Sequence, residues 1–194
     1  KIPGSYICVF TKEVSRGNAQ AEANRSVQAH GGQIKHVYSV ALRGFAANMA
    51  PQAVENMKAN NPRIAYCEQD QVVTAGQVFG MARPGGGGGS TQPAETMPWG
   101  VARVNGGAAG SFRTAWVIDT GIDLTHPDLN VDVARSKSFL GGTTTPQDQN
   151  GHGTHVAGTI AAVDNAIGVI GVAPGAPVVA IRVLDRRVPP YWRS

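Results

Sequence analysis

Five consecutive glycines, Gly85 to Gly89, followed by Ser90, interrupt the chain. A run with no side chains has nothing to pack and a high entropic cost of ordering, so one hydrophobic core is not expected to continue through it. The 194 residues therefore read as two units. Residues 1–75 form the first and 95–185 the core of the second. Residues 76–94 are a connector exposed to proteases, and residues 186–194 are a tail of different composition.

Composition limits what the units can do. With 42% hydrophobic residues disorder is not the default. The net charge of +4 forms no clustered basic face, so nucleic acid is not an expected partner. No run of 18 apolar residues occurs, so no transmembrane helix is expected and no membrane partner is inferred. The first ten residues lack the apolar core of a signal peptide, which leaves two alternatives: no export, or a signal outside this numbering. Cys8 and Cys67 each sit in a short apolar run. Buried free thiols are the simpler reading, and one disulfide is the alternative.

Hydrophobic periodicity orders the first unit. SYICVF (5–10) reads as a strand, and 18–32 as a helix stopped by the glycine pair Gly31-Gly32. Two strands follow at 33–40 and 44–49, then a helix over 50–62 with Pro51 in its first turn, then a strand over 63–73. This β-α-β-β-α-β order is the split, ferredoxin-like α+β arrangement. Its first and last strands are sheet neighbours, which would bring Cys8 near Cys67.

After the connector the pattern changes. TAWVID (114–119) and VVAIRVLD (178–185) are buried-type strands, and HGTHVAGTIAAV (152–163) between them is helical. Such alternation implies an α/β parallel sheet covered on both faces. The strand over 178–185 is expected to expose a sheet edge. Ligands of such sheets bind beyond the carboxyl ends of strands, where Asp119 stands.

His152 and His155 are spaced i, i+3 with Gly-Thr between them, unlike the i, i+4 pair with a glutamate that binds zinc, so a zinc site is disfavoured. An acid at a strand end with a histidine at a glycine-flanked helix start is two thirds of a Ser-His-Asp arrangement. The flanking glycines are expected to let a substrate backbone approach closely.

The segments WVIDTGIDLTHPDL (116–129) and NGHGTHVAGTIAA (150–162) resemble the aspartate and histidine signatures of the subtilisin-like serine proteases, and the likeness extends over 165–185. Residues 5–73 resemble the propeptide of the same enzymes, and MPWGVARV (97–104) is similar to the start of mature chains among proteinase K and aqualysin relatives. The resemblance implies a ferredoxin-like prodomain, an inhibitor and intramolecular chaperone, followed by part of a subtilisin-like domain. It implies Asp119 as the triad acid, His152 as the general base and His155 as structural. It also implies structural calcium, with Asp128, Asn165, Glu95 and the carbonyls of Val163, Ile167 and Val169 as ligands, oxygen donors of the kind calcium prefers. Extracellular location, protein or peptide substrates, and a propeptide able to bind a subtilisin-like protease follow from the same likeness. Processing is expected between residues 74 and 91, near Gly76.

One departure matters most. The family carries its nucleophile in a Gly-Thr-Ser-Met-Ala segment, with an oxyanion-hole asparagine before it, and none of the nine serines here has that context. The tail RRVPPYWRS also replaces an expected Gly/Ser-rich segment. The chain thus reads as an endopeptidase precursor truncated before its nucleophile and inactive alone, with proteinase inhibition through the first unit as the alternative.

Overall fold

The computed structural model describes residues 1–73, 94–142 and 145–185. Most of the connector, the processing region within it and the tail over 186–194 lie outside the described residues. Two compact units divide after Val72.

The first unit contains β1 (Ser5–Phe10), α1 (Ala19–His30), β2 (Gly32–Tyr38), β3 (Gly44–Met49), α2 (Pro51–Asn60) and β4 (Ile64–Gln69). Its sheet has the order β2-β3-β1-β4 with every pair antiparallel. This is the ferredoxin-like arrangement expected from the periodicity. Helix α1 buries Ala19, Ala23 and Val27, the i, i+4 stripe that the sequence shows, and α2 adds Val54 and Met57. They close over Phe10 and Phe45, whose rings lie 5.5 Å apart. Gly31 ends α1 at φ 72°, a conformation glycine adopts without strain.

Cys8 and Cys67 are directly opposed in register between β1 and β4, and their sulfurs are bonded. The buried free thiols favoured by composition are therefore not found. Alternation alone did not settle the pairing because β1 and β4 shift register between Val9 and Phe10.

The second unit contains α3 (Trp99–Arg103), β5 (Ala115–Asp119), β6 (Lys137–Ser138), α4 (His152–Ala161) and β7 (Val178–Arg182). The sheet is parallel, in the order β5-β7-β6. Here the structure corrects the expected edge: β7 is central, and β5 and β6 are the outer strands among the described residues. The two-residue β6 carries too little pattern to be seen in sequence. One sheet face is covered by α4, which presents the small residues Gly153, Ala157 and Ala161 toward Val117 and Ala180. Trp116 and Ile118 point the other way and are exposed, so among the described residues β5 has the alternation of a strand covered on one side, not the cover on both faces expected from the sequence.

Candidate active site

The end of β5 and the start of α4 bring the two sequence-predicted residues together. Asp119 is the last residue of β5 and is buried; His152 opens α4 and is half-buried. The His152 Nδ1 lies 2.8 Å from each Asp119 carboxylate oxygen. An ionised carboxylate only accepts, so Nδ1 carries the proton and donates it to this contact, leaving Nε2 as the basic nitrogen. The Asp119 carboxylate also accepts the Thr120 backbone N–H at 2.7 Å. An aspartate that fixes one imidazole tautomer is the orienting half of a general-base pair.

Of the two glycines beside His152, Gly153 packs against backbone. A Cβ on Gly153 would collide with the carbonyl oxygen of Gly121 and lie 3.2 Å from the Asp119 Cβ. Gly153 therefore permits helix and strand to touch. Gly151 precedes the helix at φ 101°, where its lack of a Cβ removes the strain.

Sequence reasoning missed Asp148. Its Oδ1 accepts the Thr120 hydroxyl and the N–H groups of Asn150 and Gly151, each at 2.9 Å. Its Oδ2 accepts the Thr154 N–H at 2.9 Å and the Thr154 hydroxyl at 2.6 Å. Burial pushes this carboxyl up, but the hydrogen bonds from Gly151, Thr154 and Asn150 outweigh it and hold the group below its ordinary value of 3.8. The usable sequence signal was an aspartate shortly before a helix start, where aspartates commonly accept backbone N–H groups.

His155 is exposed on α4. Together with Trp99, Val101, Asp128, Gly158 and Val172 it lines a cavity of about 1100 Å³ on the side of the helix that carries α3.

The residues expected to hold calcium also gather. Asp128 is buried, its Oδ1 accepts the Asn165 side-chain amide at 2.8 Å, and its backbone carbonyl accepts the Val163 N–H at 3.1 Å. Glu95 Oε1 accepts the Asn165 N–H at 2.7 Å, and Asn165 Oδ1 accepts the Ile167 N–H at 2.7 Å. Bridges between Ala94 and Ile167 and between Thr96 and Val169 hold the segment near Glu95 against this loop.

Comparison with known proteins assigns both units. Residues 116–192 match the model of the subtilase family, and residues 5–75 match that of peptidase inhibitor I9. The chain belongs to the subtilase family. Among relatives of this subtilase, the alkaline protease of Alkalihalobacillus alcalophilus is 41% identical over 146 residues, covering 72% of this chain and 33% of the relative. Subtilisin E of Bacillus subtilis is 35% identical over 187 residues, covering 93% of this chain and 43% of the relative. The chain thus spans between a third and just over two fifths of the length of these relatives. The crystal structure of the epidermin leader peptide processing serine protease of Staphylococcus aureus shares the fold, with a TM-score of 0.58 at 18% identity, covering 95% of this chain and 43% of that one. Among the described residues of the subtilase chain, no helix is long and apolar enough to cross a membrane.

Proposed function

We propose that the chain is the N-terminal part of a secreted subtilisin-like serine endopeptidase precursor in which Asp119 and His152 are two members of the catalytic triad. The observation that carries this is the contact of His152 Nδ1 with both Asp119 oxygens at 2.8 Å, within a stretch matching the subtilase family. In this reading His152 Nε2 takes the proton of a serine hydroxyl as that oxygen attacks a peptide carbonyl, and returns it to the leaving amine. Asp119 stabilises the imidazolium between those steps. None of the nine serines in this sequence stands in the Gly-Thr-Ser-Met-Ala context in which the family carries its nucleophile. Export is supported by the Cys8–Cys67 disulfide, a bond that persists in oxidising compartments.

The test is to express the chain together with whatever its gene encodes beyond residue 185 and follow peptide hydrolysis. We expect activity that falls by at least about a thousandfold in His152→Ala and Asp119→Ala. Wild-type turnover retained in both variants overturns the reading.

Calcium belongs to the same proposal. Asp128 is a buried carboxylate that forms no salt bridge among the described residues, and a buried charge needs compensation. No three His, Cys, Asp or Glu side chains gather there among the described residues. The donor set would therefore draw on Asp128, Glu95, the Asn165 amide and the carbonyls of Val163, Ile167 and Val169. That set is all oxygen and fits calcium. Bound there, the ion would neutralise Asp128 and tie the loop to the segment bearing Glu95.

A second reading, proteinase inhibition, is favoured by a specific observation: the first unit is a closed ferredoxin-like fold with its own core and disulfide, and it matches peptidase inhibitor I9. The purified 194-residue chain is expected to inhibit subtilisin E and to spare a serine protease of chymotrypsin fold. Absence of inhibition of subtilisin E counts against it.

A further inference from the structure

The Asp119–His152 contact joins two elements that are not held together by the contact alone. Asp119 is followed by Thr120, which is 1% exposed, and His152 is followed by Gly153. The Thr120 hydroxyl accepts the Gly153 N–H at 2.9 Å and donates to Asp148 Oδ1 at 2.9 Å. Asp148 in turn accepts from Asn150, Gly151 and twice from Thr154 on either side of His152. Every one of these bonds lies within two residues of His152 or one residue of Asp119.

The segment bearing Asp148 is itself anchored. Arg182, at the end of β7, is 2% exposed, and its Nη1 donates to the carbonyls of Gln147 at 2.9 Å and Thr145 at 3.3 Å. Its Nη2 donates to the Gln149 side chain at 3.0 Å. Arg182 is paired with Asp119 in the β5–β7 register, so the anchor and the acid share one level of the sheet.

We propose that Asp148 is the positioning residue of the Asp119–His152 pair: its carboxylate, seated by Arg182 and completed by the Thr120 hydroxyl, clamps the first turn of α4 to the end of β5. The clamp fixes the imidazole plane against Asp119 without touching the imidazole. Its catalytic consequence rests on the protease reading above, while its structural content does not.

The test uses the whole 194-residue chain labelled with nitrogen-15 at histidine. The His152 Nδ1–H donated to Asp119 should give a hydrogen-bonded imidazole proton signal that disappears in Asp119→Ala. Asp148→Ala is expected to lose that signal while the backbone amide spectrum of the second unit keeps its dispersion. Thr120→Val, which keeps bulk and removes both hydroxyl bonds, should lose it too, and Thr120→Ser should keep it. Retention of the signal in Asp148→Ala overturns the proposal. If Asp148→Ala unfolds the second unit, Thr120→Val decides in its place, and retention there overturns the proposal equally. Failure of the protease reading would be seen separately, as peptide hydrolysis by the extended chain that is indifferent to His152→Ala, with the imidazole signal of the 194-residue chain still dependent on Asp148.

Discussion

Asp119 and His152 lie 33 residues apart in sequence, yet their side chains meet at 2.8 Å because Gly153 lets α4 rest on the turn after β5. Gly153→Ala would drive a methyl group into the Gly121 carbonyl and must push the helix start away from the strand. We expect a loss of about 1–3 kcal/mol in the second unit, the usual range for overpacking a tight contact, read from denaturant unfolding of the chain. Gly158→Ala, where a Cβ meets nothing within 4 Å, is the control and should be neutral or slightly stabilising.

The Cys8–Cys67 bond closes a loop with a sequence separation of 59. Loop-closure entropy for such a length gives about 4 kcal/mol of stabilisation. The double variant Cys8→Ser, Cys67→Ser should therefore lower the stability of the first unit by an amount of that order, measured by its denaturant midpoint. An unchanged midpoint would show that the bond adds nothing to the fold.

Glu22 on α1 is buried, accepts Arg63 Nη1 at 2.7 Å and the Asn61 amide at 3.2 Å, and so ties α1 to the start of β4. Burial pushes its carboxyl up, but the hydrogen bonds and charges of Arg63, Asn61 and Arg25 outweigh it and hold it below its ordinary value of 4.5. A group that binds its proton less readily when folded contributes stability in full above the unfolded value, and this stability is lost as pH falls through the folded one. The first unit should weaken on acidification below about pH 4.5. Glu22→Gln should flatten that dependence and cost about 1 kcal/mol at neutral pH, a small figure because Arg63 is half exposed. Circular dichroism melts across pH check both.

Calcium is expected to raise the melting temperature of the second unit, and a chelator to reverse the change. At a concentration a hundredfold above the dissociation constant, linkage gives about 2.7 kcal/mol. Asp128→Ala should abolish the response. A response that survives in Asp128→Ala would place the ion elsewhere.

The sequence was most legible where period and punctuation agree. The stripe of Ala19, Ala23 and Val27, the glycine pair after α1 and Pro51 at the start of α2 each signal one local structure, and together they define the first unit's order. Asp119 and His152 were legible because a strand end and a helix start each bear a distinctive neighbourhood. Short elements were not: α3 has five residues and β6 two, less than one period of pattern. Asp148 was hidden because its importance lies in five acceptor contacts made in three dimensions, and a lone aspartate in a polar loop looks like any solvated one. The packing of Gly153 was hidden for a related reason, since only the fold reveals that the Gly121 carbonyl is its neighbour.

Whether Asp119 and His152 serve a serine nucleophile is decided by reading the transcript beyond the codon for Asp185 in all three frames. One frame is expected to encode a Gly/Ser-rich segment and, further on, a Gly-Thr-Ser-Met-Ala sequence. Transcript that continues with no such segment in any frame would contradict it and leave inhibition through the first unit as the activity to pursue.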